Sequence, residues 1–178
     1  MDPGGNVAEI VARLEVHGLK CNRILITHGH LDHILGSREL QELTGAEIII
    51  NQEDLSLYER VAAQCEDFGV PEPPPLPKPS AFVADGDTFA LAGLTCRAIH
   101  NPGHTPGSTS FFFEQAGFCC TGDTLFRGSI GRTSWAGFPS LQVLSLDTTP
   151  FFTARAFTEE NCPMLAAICG RDYPCCRY

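Results

Sequence analysis

The segment Thr27-His28-Gly29-His30-Leu31-Asp32-His33 constrains this chain more than any other feature. It follows the apolar run Ile24-Leu25-Ile26 and leads into a stretch of helical character, so a strand ends and a helix begins around it. At the chain's own His and Asp frequencies, the pattern H-x-H-x-D-H arises by chance on the order of once in a few thousand such chains. Its chemistry is coordination. His28 and His30 can face one cation while Asp32 and His33, around the turn, face another. Imidazole with carboxylate suits zinc, iron or manganese, whereas an all-oxygen site would suit calcium or magnesium.

The surrounding periodicity gives an α/β chain. Val7, Ile10, Val11 and Leu14 share one face of a helix expected over residues 6–17, with Gly18 as its stop. A buried strand over 23–27, a helix over 34–43 ended by Thr44-Gly45, and a strand over 46–51 containing Ile48-Ile49-Ile50 make a βαβ pattern. A third helix fits residues 53–67. Residues 71–79 hold six prolines, which excludes helix and central strand and predicts an extended loop. Short β segments follow over 81–83, 88–91, 94–100, 108–114 and 118–121, punctuated by Asp85-Gly86-Asp87, Gly93 and Ala116-Gly117, and these predict a meander. The reading is one domain over residues 1–146 and an unpatterned tail over 147–178, whose last ten residues carry three of the nine cysteines.

Charge narrows the partners. The formal net charge is −9 and the 12 basic residues form no stripe, which disfavours nucleic acid and points to a small-molecule substrate. No run approaches the ~18 apolar residues of a membrane span. The opening MDPGGNVAEI lacks the basic and apolar regions of a secretion signal, so the expectation is a cytoplasmic chain. The nine cysteines include no C-x-x-C pair and are expected as reduced thiols.

Two later segments extend the cluster. Asn101-Pro102-Gly103-His104-Thr105-Pro106-Gly107-Ser108 places a histidine in a rigid Pro/Gly loop, and Thr121-Gly122-Asp123-Thr124 places a carboxylate directly after an apolar strand. Together THGHLDH, NPGHTPGS and GDTLFRGSIGRTS, in that order, resemble the metallo-β-lactamase superfamily, closest to its small hydroxyacylglutathione hydrolase-like (glyoxalase II-like) branch. The resemblance covers roughly residues 2–142. It implies an αββα sandwich, here incomplete, with the first strands missing before Asp2-Pro3-Gly4-Gly5 and an irregular C-terminal tail. It implies that His28, His30 and His104 hold a first zinc ion, that Asp32 and His33 hold a second, and that Asp123 bridges them.

It further implies a glutathione-linked thioester substrate, attacked by a metal-bridging hydroxide that Asp32 orients, with Arg132 near the substrate's charged end. The family's last histidine for the second metal has no counterpart, because no histidine follows His104, so the second site is expected to be incomplete. That gap keeps two rivals: a mononuclear iron oxidoreductase acting on a glutathione persulfide, and an inactive remnant. His17 and His100 are read as structural.

Overall fold

The computed structural model describes residues 1–91, 93–126 and 129–133. The expected elements over 141–146 and the tail over 147–178 lie outside the described residues. In the first half, helix α1 (Val7–Val16) precedes strand β1 (Arg23–Leu25), helices α2 (Leu31–Ile34) and α3 (Ser37–Thr44), and strand β2 (Glu47–Asn51). A 3-10 turn over Gln52–Asp54, α4 (Leu55–Glu59), α5 (Val61–Phe68) and β3 (Ala81–Val83) complete it. The second half is β4 (Thr88–Leu91), β5 (Leu94–His100), β6 (Thr109–Phe113), β7 (Phe118–Cys120), a 3-10 turn over Gly122–Thr124, β8 (Leu125–Phe126) and β9 (Ser129–Ile130).

Strands β1, β2 and β3 form a parallel sheet in that order, while β4 to β7 form an antiparallel sheet. The alternation of side chains along a strand then builds two cores at once. Ile24, Ile26, Ile48 and Ile50 pack outward against Val7, Ile34, Leu40, Tyr58 and Val61 of the helical layer. Leu25, Ile49 and Val83 point the other way, onto Cys96, Ala98, Phe111, Phe113 and Phe118 of the second sheet. Three consecutive isoleucines are therefore needed in β2 because both of its faces are buried. Helices, sheet and sheet are the layers seen among the described residues. On the far side of the second sheet, Thr95 and Arg97 of β5 are exposed.

Three expectations change in detail. The helix expected over 34–43 is interrupted, because the amide of Gly36 donates to the carbonyl of Pro3 (2.6 Å) and the chain start crosses at that point. A Cβ on Gly36 would meet Pro3 O at 2.6 Å and Val7 Cγ2 at 2.8 Å, so glycine is what permits the crossing. The helix expected over 53–67 breaks at Arg60. The Leu57 carbonyl, which a continuous helix would offer to Val61, instead accepts from Arg60 N (3.2 Å) and Gln64 Nε2 (2.9 Å). Finally, β3 does not join the meander. It pairs in parallel with β2, Ile50 opposite Phe82.

Candidate metal centre

The site forms where the two sheets meet at the C-terminal ends of β1 and β2. Beyond β1 the chain stays extended, Ile26 N donating to Ile49 O (2.9 Å), and Thr27 is then fixed from three sides. Its amide donates to Asp2 Oδ1 (2.7 Å), its hydroxyl to Asp2 Oδ2 (2.8 Å), and its carbonyl accepts from Thr109 N at the start of β6 (2.9 Å). Thr27 thus joins the first sheet to the second, and His28 projects from that junction.

The hydrogen bonds also fix ring tautomers. Since the Thr27 hydroxyl proton goes to Asp2, its oxygen accepts at His28 Nδ1 (3.1 Å), which leaves the lone pair of His28 on Nε2. That Nε2 atom is buried with no hydrogen-bond partner. His104, in the loop between β5 and β6, donates from Nδ1 to the carbonyl of Arg132 (2.7 Å), so its Nε2 also carries a lone pair and meets His30 Nδ1 at 2.9 Å. Anchoring one ring nitrogen to orient the other is the usual second-layer support of a ligating imidazole.

The ligand atoms fall into two groups, each within 4.8 Å: His28, His30 and His104, and His28, His33 and Asp123. Histidines 28, 30 and 104 lie ring to ring at 4.6–4.8 Å. Burial, then the neighbouring imidazoles, hold His28 well below the ordinary histidine value and bring His30 down to about 4. Both are neutral at pH 7, the form a cation needs.

His33, in α2, behaves oppositely. Burial opposes its charge, but hydrogen bonds from Nε2 to Asp123 Oδ1 (3.2 Å) and from Nδ1 to Asp2 Oδ2 (3.2 Å) raise it to about 10. Asp123 stands on the 3-10 turn after β7 with Oδ2 3.6 Å from His104 Nε2, so its two oxygens face the two groups. Burial disfavours its charge, yet His33 outweighs that and holds the carboxyl below its ordinary value.

The orphaned Nε2 of His28, among the rings of His30 and His104 and beside a carboxylate, fits a divalent cation of the borderline class. The structure thus brings together five of the residues singled out in the sequence: His28, His30, His33, His104 and Asp123. His28 belongs to both groups rather than to the first alone. Asp32 lies outside both, its side chain 72% exposed and its Oδ2 3.6 Å from His33 Nε2. Arg132 lies beside the site through its main chain, and its residue is exposed.

His17 caps the C-terminus of α1. His100 meets the Pro106 carbonyl through Nε2 (2.9 Å), which braces the loop that carries His104. Sequence reasoning missed Asp2 and Asp54 as supports. Asp54 is wholly buried, and burial raises its carboxyl above the usual value against three hydrogen bonds that lower it. A carboxylate at the first turn of a helical run reads as ordinary helix-start chemistry, so nothing in its neighbourhood marks it.

Among the described residues, no helix is long and apolar enough to cross a membrane. The chain is 36% identical over 136 residues to the hydroxyacylglutathione hydrolase GloC of Haemophilus influenzae, covering 76% of this chain and 64% of that relative. Among solved structures it is similar to TTHA1623 in a di-iron-bound form, with 33% identity, a TM-score of 0.61, and coverage of 74% of this chain and 64% of that one. The B3 metallo-beta-lactamase BLEG-1 shares the fold at a TM-score of 0.66 and 24% identity, covering 96% of this chain and 72% of that one. The chain therefore spans a little under two thirds of the hydrolase relative and of the di-iron protein. The model of the metallo-beta-lactamase superfamily matches residues 1–158, and the chain belongs to that superfamily.

Proposed function

We propose that this chain is a metal-dependent hydrolase whose substrate is a small thioester, glutathione-linked as in an acylglutathione. The convergence of His28, His30 and His104, with the unpartnered Nε2 of His28 at its centre, carries the metal reading. Likeness to a hydroxyacylglutathione hydrolase supports the thioester. His28, His30 and His104 would hold a first ion. His33 and Asp123, with Asp32 at the open side, would hold a second, with Asp123 between the two. Zinc is the expected metal, and iron or manganese suit the same donors. When bound, such ions make water a nucleophile at neutral pH and polarise the carbonyl it attacks.

This chain's residues supply the orientation. Asp32 is exposed at the mouth of the site and accepts a hydrogen bond from the attacking water. His33, giving up its Nε2 proton to serve as a ligand, stays oriented by its Nδ1 bond to Asp2, and Asp123 keeps its carboxylate beside it. Water oxygen joins the acyl carbon, the carbon–sulfur bond breaks, and the water's protons pass to the thiolate and to solvent, giving an acid and a thiol. Arg132, on the loop that orients His104, would meet a carboxylate of the substrate.

The purified chain should bind metal in two steps, the His28–His30–His104 group filling at the lower concentration because it has three neutral nitrogen donors. Thiol release from an acylglutathione should require the second ion. A chain that takes no metal, or that loads and leaves thioesters intact, overturns the proposal. The grouping of His28, His33 and Asp123 has the two-histidine, one-carboxylate composition of mononuclear iron oxygenases and favours the persulfide oxidoreductase as second reading. Oxygen consumption with a persulfide at one iron per chain would select it. Arg132→Ala should raise KM for a charged thioester far more than it lowers kcat, since uniform binding is what is lost. Metal affinity should not change, because the bond to His104 uses the Arg132 main chain. Steady-state kinetics with charged and neutral thioesters checks both points.

A further inference from the structure

Two loops supply the first donor group, and one buried carboxylate touches both. Asp54, at the end of the 3-10 turn that follows β2, has no solvent exposure. Its Oδ2 accepts from the amide of Gly29 (2.8 Å), the residue between His28 and His30, and from the hydroxyl of Thr105 (2.7 Å), the residue after His104. Its Oδ1 accepts from the amide of Gly107 in the His104 loop (2.6 Å). The approach is close enough to exclude any side chain. A Cβ on Gly107 would meet Asp54 N at 2.6 Å and Asp54 Cγ at 2.8 Å, and one on Gly29 would meet Tyr58 N at 3.0 Å. Gln64 completes the grip, accepting from Leu31 N (3.0 Å) and donating to Gly29 O (3.0 Å).

We propose that Asp54 is a positioning residue that holds the His28–His30 loop and the His104 loop at the spacing a shared cation needs; this rests on the metal reading above. The chemistry requires an acceptor on both oxygens. Asparagine has nearly the same shape but only one acceptor oxygen. Whichever way its amide turns, an NH2 faces the N–H of Gly29 or that of Gly107, and one buried donor of a ligand-bearing loop is left unsatisfied. Packing alone would tolerate that replacement. Holding the loops would not.

The test uses cobalt(II) alone as probe, titrated into the full chain against a chromophoric chelator. Its d–d absorption reports ligand geometry, and unfolding curves of the metal-free proteins serve as controls. Asp54→Asn should weaken cobalt binding by about 10–100-fold, the range for residues that orient ligands, and should change the absorption spectrum. Thr105→Val should shift both in the same direction by less, and Thr105→Ser, which keeps the hydroxyl, should restore wild-type behaviour. Wild-type affinity and spectrum in both Asp54→Asn and Thr105→Val overturn the inference alone. A wild-type chain that takes no cobalt overturns the metal reading and this inference with it. Should Asp54→Asn fail to fold, the Thr105 pair decides: equal binding by the valine and serine variants overturns the role, and a difference between them supports it.

Discussion

His28→Ala should remove tight metal binding from the His28–His30–His104 group, the tighter of the two sites. Its Nε2, which holds the ring's one lone pair, is buried with no hydrogen-bond partner and can serve a single ion. Alanine there leaves only His30 and His104 for the first ion. Two protein donors hold a divalent ion weakly against solvent, so the fall in affinity should exceed the roughly 10–100-fold typical of changes one layer further out. His33→Ala, by contrast, should spare the first group. Competition against a chelator of known strength, with the two variants side by side, measures this. If His28→Ala binds as tightly as wild type, His28 is not a ligand. The metal-free variant should remain folded, since the neighbouring main chain keeps its bonds to Asp2, Thr109 and Asp54 and the lost Nε2 had no partner.

Gly122→Ala should destabilise the chain more than an ordinary loop substitution, by about 2–5 kcal/mol. Two costs coincide. Gly122 has φ +51°, a left-handed conformation that charges an L-residue roughly 1–2 kcal/mol. The added Cβ would also collide with the hydroxyl of Thr27 and lie 2.8 Å from its Cβ, and overpacking of this sort costs roughly 1–3 kcal/mol. Thr27 cannot step aside, because its hydroxyl joins Asp2 to His28 and its carbonyl receives Thr109 N. Denaturant unfolding of the metal-free proteins gives the difference. A shift under about 0.5 kcal/mol, the usual range of surface substitutions, would show that the 3-10 turn relaxes freely.

The readable part of this chain is what periodicity and local chemistry encode. Ile24-Leu25-Ile26 and Ile48-Ile49-Ile50 announce strands buried on both faces, and the proline-rich loop over 71–79 announces itself. His28, His30 and His33 were legible because the spacing in H-x-H-x-D-H is improbable, whereas His104 and Asp123 stood out only beside that segment, and Asp32, its carboxylate, lies outside both groups. What stayed hidden depends on contacts through space. The interruption at Gly36 comes from Pro3, more than thirty positions away in the sequence. The partner of β3 is set by sheet assembly, and three residues of Ala-Phe-Val carry no mark of it. Asp54 looks like a helix-start acid until its oxygens are traced to Gly29, Thr105 and Gly107. Arg132 suggested a role for its guanidinium, while its carbonyl, a group every residue type possesses, accepts from His104.

The meeting of His30 with His104 across 74 positions of chain has a consequence for folding. An ion seated between them would close a long loop, and the entropy of that closure grows only slowly with length, so the separation itself adds little penalty. The unfolded chain cannot present those donors together, and the ion would therefore act by mass action on the native state. At a hundred times the dissociation constant it adds about 2.7 kcal/mol, a large share of what holds a domain of this size together. Chelation then becomes a form of denaturant, and heat resistance becomes a property of the surrounding solution as much as of the chain.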